Sequence, residues 1–143
     1  MSEKFKLGYT QGTFDMFHIG HLNLIKNARA HCDKLVVGVN RDELVRQYKK
    51  KTPVINEMER LEIVKSIRYV DDAFLCDSLD KVAMHGQCPF DAIFIGDDWK
   101  GNGRWAKTEE ELAPLGAKVV YLSYTHDISS SLLRIQEQNK VEE

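Results

Sequence analysis

The stretch GTFDMFHIGH, residues 12–21, decides the fold of this chain. Before it, KFKLGYTQGTF (residues 4–14) reads as a strand that ends in Gly12, and after it IGHLNLIKNARAHC (residues 19–32) has apolar residues at a helical period. Gly12 lets the backbone turn sharply and come close to a ligand. The stretch therefore predicts a strand, a tight turn and a helix in direct succession.

Strand-like and helix-like segments alternate along the rest of the chain. The further predicted strands are KLVVGVN (34–40), YVDDAFLC (69–76), DAIFIG (91–96) and AKVVYLSY (117–124). The further predicted helices are RDELVRQ (41–47), NEMERLEIVKSI (56–67), SLDKVAMHGQ (78–87), WAKTEEELAPLG (105–116) and ISSSLLRIQEQNK (128–140). Asn56 is the expected N-cap of its helix, with Glu59 three residues later. This alternation predicts an α/β fold, a Rossmann-like doubly wound parallel five-stranded sheet with helices on both faces.

Length and composition restrict the class of protein. The 143 residues fit a single domain, residues 1–143, with residues 135–143 as a frayed tail. A net charge of −2 provides no basic field for nucleic acid, and no apolar run approaches the roughly 20 residues of a membrane helix. The polar segment MSEKFKLGYT does not resemble a signal peptide, so we expect a cytoplasmic protein. Three widely spaced cysteines, Cys32, Cys76 and Cys88, predict reduced thiols.

His18 and His21 are the residues of the stretch that most clearly indicate chemistry. They are three residues apart and so share one face of the first helical turn. Free N–H groups and the helix dipole favour an anion at that place, and imidazoles beside it can donate to phosphate oxygens. A phosphate also favours the cationic form of histidine. Two other interpretations stay open, a metal site made by Asp15, His18 and His21, and a pair of capping or core histidines.

Four blocks of the sequence resemble one family. GTFDMFHIGH is similar to the (T/G)xxHxGH motif of the nucleotidyltransferase superfamily. RYVDD (68–72), GDDW (96–99) and ISSS (128–131) resemble its cytidylyltransferase branch, in particular the glycerol-3-phosphate cytidylyltransferases. The resemblance covers residues 7–134 and implies a Rossmann-like sheet of five strands.

The resemblance implies an activity and a set of partners. The family transfers a nucleotidyl group, here CMP from CTP, to a small phosphorylated alcohol such as glycerol 3-phosphate, and releases pyrophosphate. Mg²⁺ accompanies the triphosphate, the product serves cell-envelope biosynthesis, and the RYVDD segment implies a homodimer. The resemblance gives His18 and His21 the role of holding the triphosphate and stabilising the transition state, and gives Thr13 and Phe14 that of presenting backbone N–H groups to it.

Basic residues are the next candidates. Lys49, Lys50 and Lys51 form a basic segment that on its own reads as a solvated loop, and the resemblance makes it a mobile loop over the phosphates, with Lys49 and Lys51 as catalytic candidates. Arg60 and Arg68 are eight residues apart, which predicts one helical face. The resemblance implies that both arginines bind acceptor or nucleotide phosphate.

Turns that follow the predicted strands supply the remaining candidates. By resemblance, the nucleotide-binding residues are Gly12, Thr13, Phe14, Asp97, Asp98, Thr125, Ile128, Ser129 and Ser130. The acceptor-binding residues are Asp15, Arg60, Arg68 and Trp99. Without the resemblance, the aspartates read as a polar turn and the serines as N-caps of the last helix.

The final block departs from the family pattern. Tyr124 stands where the family has an arginine that contacts the triphosphate, Asp127 replaces a glycine and Ser130 a threonine. His126 is the candidate substitute cation. Two other functions therefore remain in view, an adenylyltransferase that uses ATP and a non-catalytic nucleotide-binding or regulatory module.

Overall fold

A computed structural model describes residues 4–97 and 100–122. The strands are β1 Phe5–Gly12, β2 Cys32–Asn40, β3 Asp72–Cys76, β4 Ala92–Gly96 and β5 Lys118–Leu122. The helices are α1 Ile19–Ala30, α2 Asp42–Lys49, α3 Glu57–Lys65, α4 Lys81–Gln87 and α5 Gly103–Leu112, and a 3-10 turn, Ala113–Leu115, follows α5. The predicted last helix, residues 128–140, lies outside the described residues.

The five strands form one parallel sheet in the order β3-β2-β1-β4-β5, which confirms the predicted Rossmann-like fold. Gly12 pairs with Val39, Asn40 with Cys76 and Gly96 with Leu122, so the strands end along one carboxyl edge. The chain winds from β1 outward to β3 and then returns to β4 on the other side of β1. The switch point therefore lies between β1 and β4, where ligands bind in such sheets.

Two apolar clusters lie on opposite faces of the sheet. Helices α1 and α3 cover one face, where Ile25 and Val64 pack with alternate strand residues. Helices α4 and α5 cover the other face, where Met84 and Leu112 pack with Tyr9 and its neighbours. Successive strand residues point to opposite faces, so a nearly continuous apolar strand such as β2 contributes to both clusters.

Helix α3 starts where the sequence predicts but ends earlier. The Asn56 side chain accepts from the Glu59 N–H at 2.9 Å, as the sequence predicts for the start of α3. Helix α3 ends at Lys65, with Ser66 as C-cap, rather than at Ile67. Arg68 therefore lies beyond the helix, and the predicted shared helical face with Arg60 is wrong.

Across residues 4–97 and 100–122, no helix is long and apolar enough to cross a membrane. All three cysteines are free thiols, as predicted, with Cys32 and Cys76 buried and Cys88 partly exposed.

Candidate active site

His18 and His21 form the start of helix α1. His18 is the N-cap, and its Nδ1 accepts the Gly20 N–H at 3.0 Å. The Nδ1 atom of His21 accepts the His18 N–H at 3.2 Å, which completes a capping box made of two histidines. The ring centroids lie 4.1 Å apart. The predicted shared face of the first turn is confirmed.

These contacts determine which nitrogen carries the hydrogen in each ring when that ring is neutral. An Nδ1 atom that accepts a hydrogen bond carries no proton, so the neutral ring holds its hydrogen on Nε2. Burial, together with the nearby His18, lowers the pKa of His21 to about 3. His21 is therefore neutral in the ligand-free protein, and the cationic form expected beside a phosphate stays a prediction. Each Nδ1 serves the helix, and each Nε2–H remains a donor on the far side of the ring.

The turn between β1 and α1 brings its backbone close to the site. Phe14 has a φ of 56° and Met16 a φ of 49°, both in the left-handed region. The Phe14 ring is buried and meets the His21 ring edge-on at 5.6 Å. A Cβ on Gly12 would lie 3.2 Å from that ring, a tight contact that a larger residue could make only if the Phe14 ring shifted.

Asp15 fastens this turn to a distant segment. Its two carboxylate oxygens accept the N–H groups of Val54 and Ile55 at 2.8 and 2.9 Å. The structure thus gives Asp15 protein partners, in contrast to the expected role in acceptor binding. Both Asp15 oxygens and the Nδ1 atoms of His18 and His21 accept backbone N–H groups, so a metal bound here would rely on the Nε2 atoms of the two rings. Among the described residues no group of three histidine, cysteine or acidic side chains is arranged to hold a metal.

Arg60 lies beneath the turn, not in an open cleft. It is fully buried, and its guanidinium donates to the carbonyls of Thr13, Asn40 and Ile55, each at 2.8 Å. It also pairs with the Asp42 carboxylate. The expectation that Arg60 binds phosphate directly is therefore corrected: its donors hold the carboxyl ends of β1 and β2 and the segment at Ile55.

Arg68 lies at the opposite end of the sheet. It precedes β3, whose first residue, Asp72, pairs with Val36 far from the carboxyl edge. The neighbouring Asp71 accepts the Leu35 N–H at 2.8 Å. Arg68 itself is exposed and lies over the Tyr69 ring at 6.0 Å. Within one chain the structure does not bring Arg68 to the histidines, because the length of β3 separates them.

The basic segment begins where α2 ends. Lys49 is the last helical residue, and its buried Nζ lies 5.8 Å from the centroid of the Tyr48 ring. Lys50 is the C-cap in a left-handed conformation, φ 58°, and Lys51 is exposed. The Tyr48 hydroxyl lies 3.0 Å from Thr13 Oγ1, so the segment starts next to the β1–α1 turn.

The other predicted site residues divide into two groups. Asp97 is exposed directly after β4, and its carbonyl accepts the Lys100 N–H at 3.0 Å. Seven further residues with a predicted role in the site lie outside the described residues: Asp98, Trp99, Thr125, His126, Ile128, Ser129 and Ser130. Tyr124 and Asp127 lie there as well.

Lys81 is a candidate site residue that sequence reasoning missed. It lines a cavity of about 280 Å³ with Leu79, Asp80, Arg104, Trp105 and Thr108. Its Nζ donates to the Leu79 carbonyl at 2.7 Å and lies 5.4 Å from the Trp105 ring. Burial, and then Arg104, lower the pKa of Lys81 to about 8. Its position at the start of α4, the helix that follows β3, is a signal that the sequence offered, because such helix starts meet at the carboxyl edge.

The cavity belongs to the same edge of the sheet as the histidines. Gln11, the penultimate residue of β1, donates through Nε2 to the Ser78 carbonyl at 2.9 Å. The segment that follows β3 therefore folds over the end of β1. Arg104 and Trp105 begin α5, which follows β4. The histidine pair thus follows β1, and the residues that line the cavity follow β3 and β4.

A strand, a tight turn and a helix with HxGH at its start, on a parallel sheet of this order, define a nucleotidyltransferase-type site. Residues 9–136 match the cytidylyltransferase-like family model, and the chain belongs to this family.

Relatives of known name agree with this assignment. The FAD synthase of Archaeoglobus fulgidus is 34% identical over 116 residues, which cover 81% of this chain and 83% of that protein. The bifunctional protein HldE of Rhodopseudomonas palustris is 30% identical over 139 residues, 96% of this chain. The chain spans only 28% of that HldE and 17% of the HldE of Hyphomonas neptunium.

Solved structures show the same architecture. The lipopolysaccharide core biosynthesis protein of Thermoplasma volcanium is 30% identical, with a TM-score of 0.74 over 86% of this chain and 99% of that one. The pantothenate synthetase of Thermus thermophilus, at 14% identity and a TM-score of 0.61, covers 82% of this chain and 55% of its own and shares the fold.

Proposed function

We propose that this protein transfers a nucleotidyl group from a nucleoside triphosphate to a small phosphorylated molecule and releases pyrophosphate. The observation that carries the proposal is the pair of Nε2–H donors of His18 and His21 at the N-terminus of α1, beside the switch point of the sheet. A helix N-terminus with two fixed donors favours a polyphosphate.

The chemistry needs no general base, because the acceptor phosphate is already an anion. One of its oxygens attacks the α-phosphorus, a new P–O bond forms, and the bond from the α-phosphorus to the bridging oxygen breaks. Negative charge then builds on the departing pyrophosphate. His18 and His21 are preorganised by their Nδ1 contacts to donate to that charge, so catalysis rests on positioning and electrostatic stabilisation.

The cavity at Lys81 is the proposed site for the acceptor phosphate. Lys81 and Arg104 bring two cationic groups to one cavity, and the lowered pKa of Lys81 records a charge that is poorly solvated until an anion arrives. The Trp105 ring supplies an apolar wall for the carbon skeleton. This assignment replaces Asp15 and Arg60, whose polar atoms already have protein partners.

CTP is the proposed nucleotide and glycerol 3-phosphate the first acceptor to test. The blocks at residues 68–72 and 96–99, which resemble the cytidylyltransferase branch, support this choice. ATP is the second candidate, because the chain matches most of the length of FAD synthases, and FAD contains an adenylyl group. A product for cell-envelope biosynthesis is consistent with the likeness to the lipopolysaccharide core biosynthesis protein.

Magnesium and a second copy of the chain complete the proposal. The described groups around the β1–α1 turn are hydrogen-bond donors rather than free carboxylates, so the protein would hold Mg²⁺ only through the oxygens of the triphosphate. The ion would neutralise part of the phosphate charge. A homodimer remains a proposal from the RYVDD segment, and sedimentation of the purified protein as a monomer would contradict it.

Pyrophosphate release with CTP and ATP, across a panel of phosphorylated alcohols and with flavin mononucleotide, tests the function. We expect turnover with CTP and a phosphorylated polyol. Turnover with ATP alone would make the protein an adenylyltransferase. Tight binding of nucleotide without turnover for any acceptor would indicate the regulatory module instead.

A further inference from the structure

The β1–α1 turn needs external support. Phe14 and Met16 adopt left-handed backbone conformations that side chains disfavour, and such conformations persist only when the surroundings hold them. Thr13, which precedes them, is held at two points: Arg60 binds its carbonyl, and the Tyr48 hydroxyl lies 3.0 Å from its Oγ1. The second contact joins two side chains that are 35 residues apart, and the sequence patterns do not indicate it.

The Tyr48 hydroxyl belongs to a chain of side-chain hydrogen bonds that starts inside the sheet. Asn40, at the end of β2, lies 3.3 Å from it through Nδ2, and Gln11 lies 2.9 Å from Asn40 Oδ1 through Nε2. The buried Tyr9 hydroxyl donates to Gln11 Oε1 at 2.6 Å. Asn40 is buried, so its amide needs these partners.

The Ser78 carbonyl sets the direction of this chain. A backbone carbonyl only accepts, so the Gln11 atom 2.9 Å from it is the amide nitrogen. That nitrogen also donates to Asn40 Oδ1, which turns Asn40 Nδ2 toward Tyr48. The Tyr48 oxygen thus accepts from Asn40 and has its own hydrogen available for Thr13 Oγ1. The donors from Tyr9 through Gln11 and Asn40 thus lead to the Tyr48 hydroxyl, and either hydroxyl of the Tyr48–Thr13 pair can donate to the other.

Tyr48 also belongs to the helix that carries the basic segment. It directly precedes Lys49, which is the last residue of α2 and whose Nζ lies near the Tyr48 ring. One hydroxyl therefore ties the last turn of α2 to the turn beneath the histidines.

We propose that Tyr48 is a positioning residue, whose hydroxyl acts through Thr13 to hold the phosphate-binding turn and the start of the basic segment in one arrangement. This inference rests on the proposed nucleotidyl transfer. Tyr48 need not touch the substrate, and its effect concerns binding of the triphosphate rather than the stability of the fold.

Tyr48→Phe removes the hydroxyl and leaves the ring. We expect KM for the nucleotide to rise about 2- to 10-fold, the range that one hydrogen bond supplies, with a smaller change in KM for the acceptor. Tyr121→Phe is the matched control, because the Tyr121 hydroxyl donates to Glu109 in an exposed pair between β5 and α5. Its nucleotide KM should equal that of the wild type.

A double-mutant cycle tests whether Tyr48 acts through Thr13. Thr13→Val removes the hydroxyl that Tyr48 contacts and should raise the nucleotide KM. Tyr48→Phe combined with Thr13→Val should be no worse than Thr13→Val alone, because the shared contact is already lost. Additive losses, or an unchanged KM in Tyr48→Phe, would overturn the proposal.

Amide hydrogen exchange of residues 13–16 separates this inference from the proposed function. In the absence of any nucleotide, these amide hydrogens should exchange faster in Tyr48→Phe than in the wild type. In Tyr121→Phe they should exchange at the wild-type rate. If the wild type shows no turnover, the proposed function fails, and the exchange rates still decide the positioning role. Equal exchange in Tyr48→Phe and the wild type would refute it.

Discussion

The imidazole rings of His18 and His21 lie with their centroids 4.1 Å apart, and each uses Nδ1 to accept a backbone N–H of the first turn of α1. Capping therefore uses Nδ1, and the proposed substrate contact uses Nε2 of the same ring. The structural and the phosphate interpretations of the two histidines are compatible, and substitutions can separate them.

His18→Asn should keep the cap and lose the catalysis. Asparagine is among the best N-caps, so we expect the free energy of unfolding to stay within about 0.5 kcal/mol of the wild type, whereas His18→Ala should lose about 1 kcal/mol. Both variants lack the Nε2–H donor, and kcat should fall roughly 100-fold or more in each. Turnover and chemical denaturation measure the two effects. Wild-type turnover in folded His18→Asn would exclude a catalytic role for the His18 ring.

His21 should make the fold sensitive to acid. Its pKa is about 3 in the folded protein and about 6.5 in the unfolded chain, so between these values only the unfolded chain binds the proton. The free energy of unfolding contributed by His21 is fully present above pH 6.5 and falls as the pH is lowered, by up to about 1.4 kcal/mol per pH unit.

Denaturation at pH 7.5 and at pH 5 measures this loss. His21→Asn should remove part of it, whereas His31→Gln, at an exposed histidine on the end of α1, should behave like the wild type. An equal loss of stability in His21→Asn and the wild type would contradict a neutral buried His21.

Arg60 is expected to govern stability. Arg60→Lys keeps the charge, but lysine lacks the planar guanidinium. It therefore cannot donate to three carbonyls and the Asp42 carboxylate at once. We expect a loss of about 3 kcal/mol, as for other broken buried ion pairs. Arg68→Lys, at an exposed site, is the control and should change stability by less than about 0.5 kcal/mol. If the Arg60→Lys protein is as stable as the wild type but has a raised KM for the nucleotide or for the phosphorylated acceptor, Arg60 binds substrate phosphate directly.

The order of elements was predictable because each strand and helix carries its own local pattern. The apolar run of β2 indicates a strand buried on both faces, and Asn56 marks the start of α3 one residue ahead. The HxGH histidines were predictable because their spacing places them on one helical turn. These features depend on residues that are close together in the sequence, so the sequence pattern alone indicates them.

The environment of Arg60 was not predictable, because its partners come from three separate segments that only the folded sheet brings together. The same holds for Tyr48 and Thr13, whose contact crosses from α2 to the β1–α1 turn. Lys81 resembles an ordinary helix residue until α5 covers it with Trp105. The proposed acceptor site is thus the part of the candidate site for which sequence patterns gave the least guidance.

Lys81 provides a test of the acceptor site through pH. Its pKa of about 8 in the free protein means that the group loses its charge as the pH rises through 8. A bound phosphate favours the charged form and raises this pKa, so the enzyme must take up a proton to bind the acceptor above pH 8. We therefore expect KM for the phosphorylated acceptor to rise above pH 8, approaching 10-fold per pH unit, while KM for the nucleotide changes little.

Lys81→Arg keeps its charge at these pH values and should flatten the profile, whereas Lys107→Arg, on the exposed side of α5, should retain the wild-type rise. Steady-state kinetics between pH 7 and 9.5 on the three proteins decides the matter, and an identical rise in Lys81→Arg would place the acceptor phosphate elsewhere.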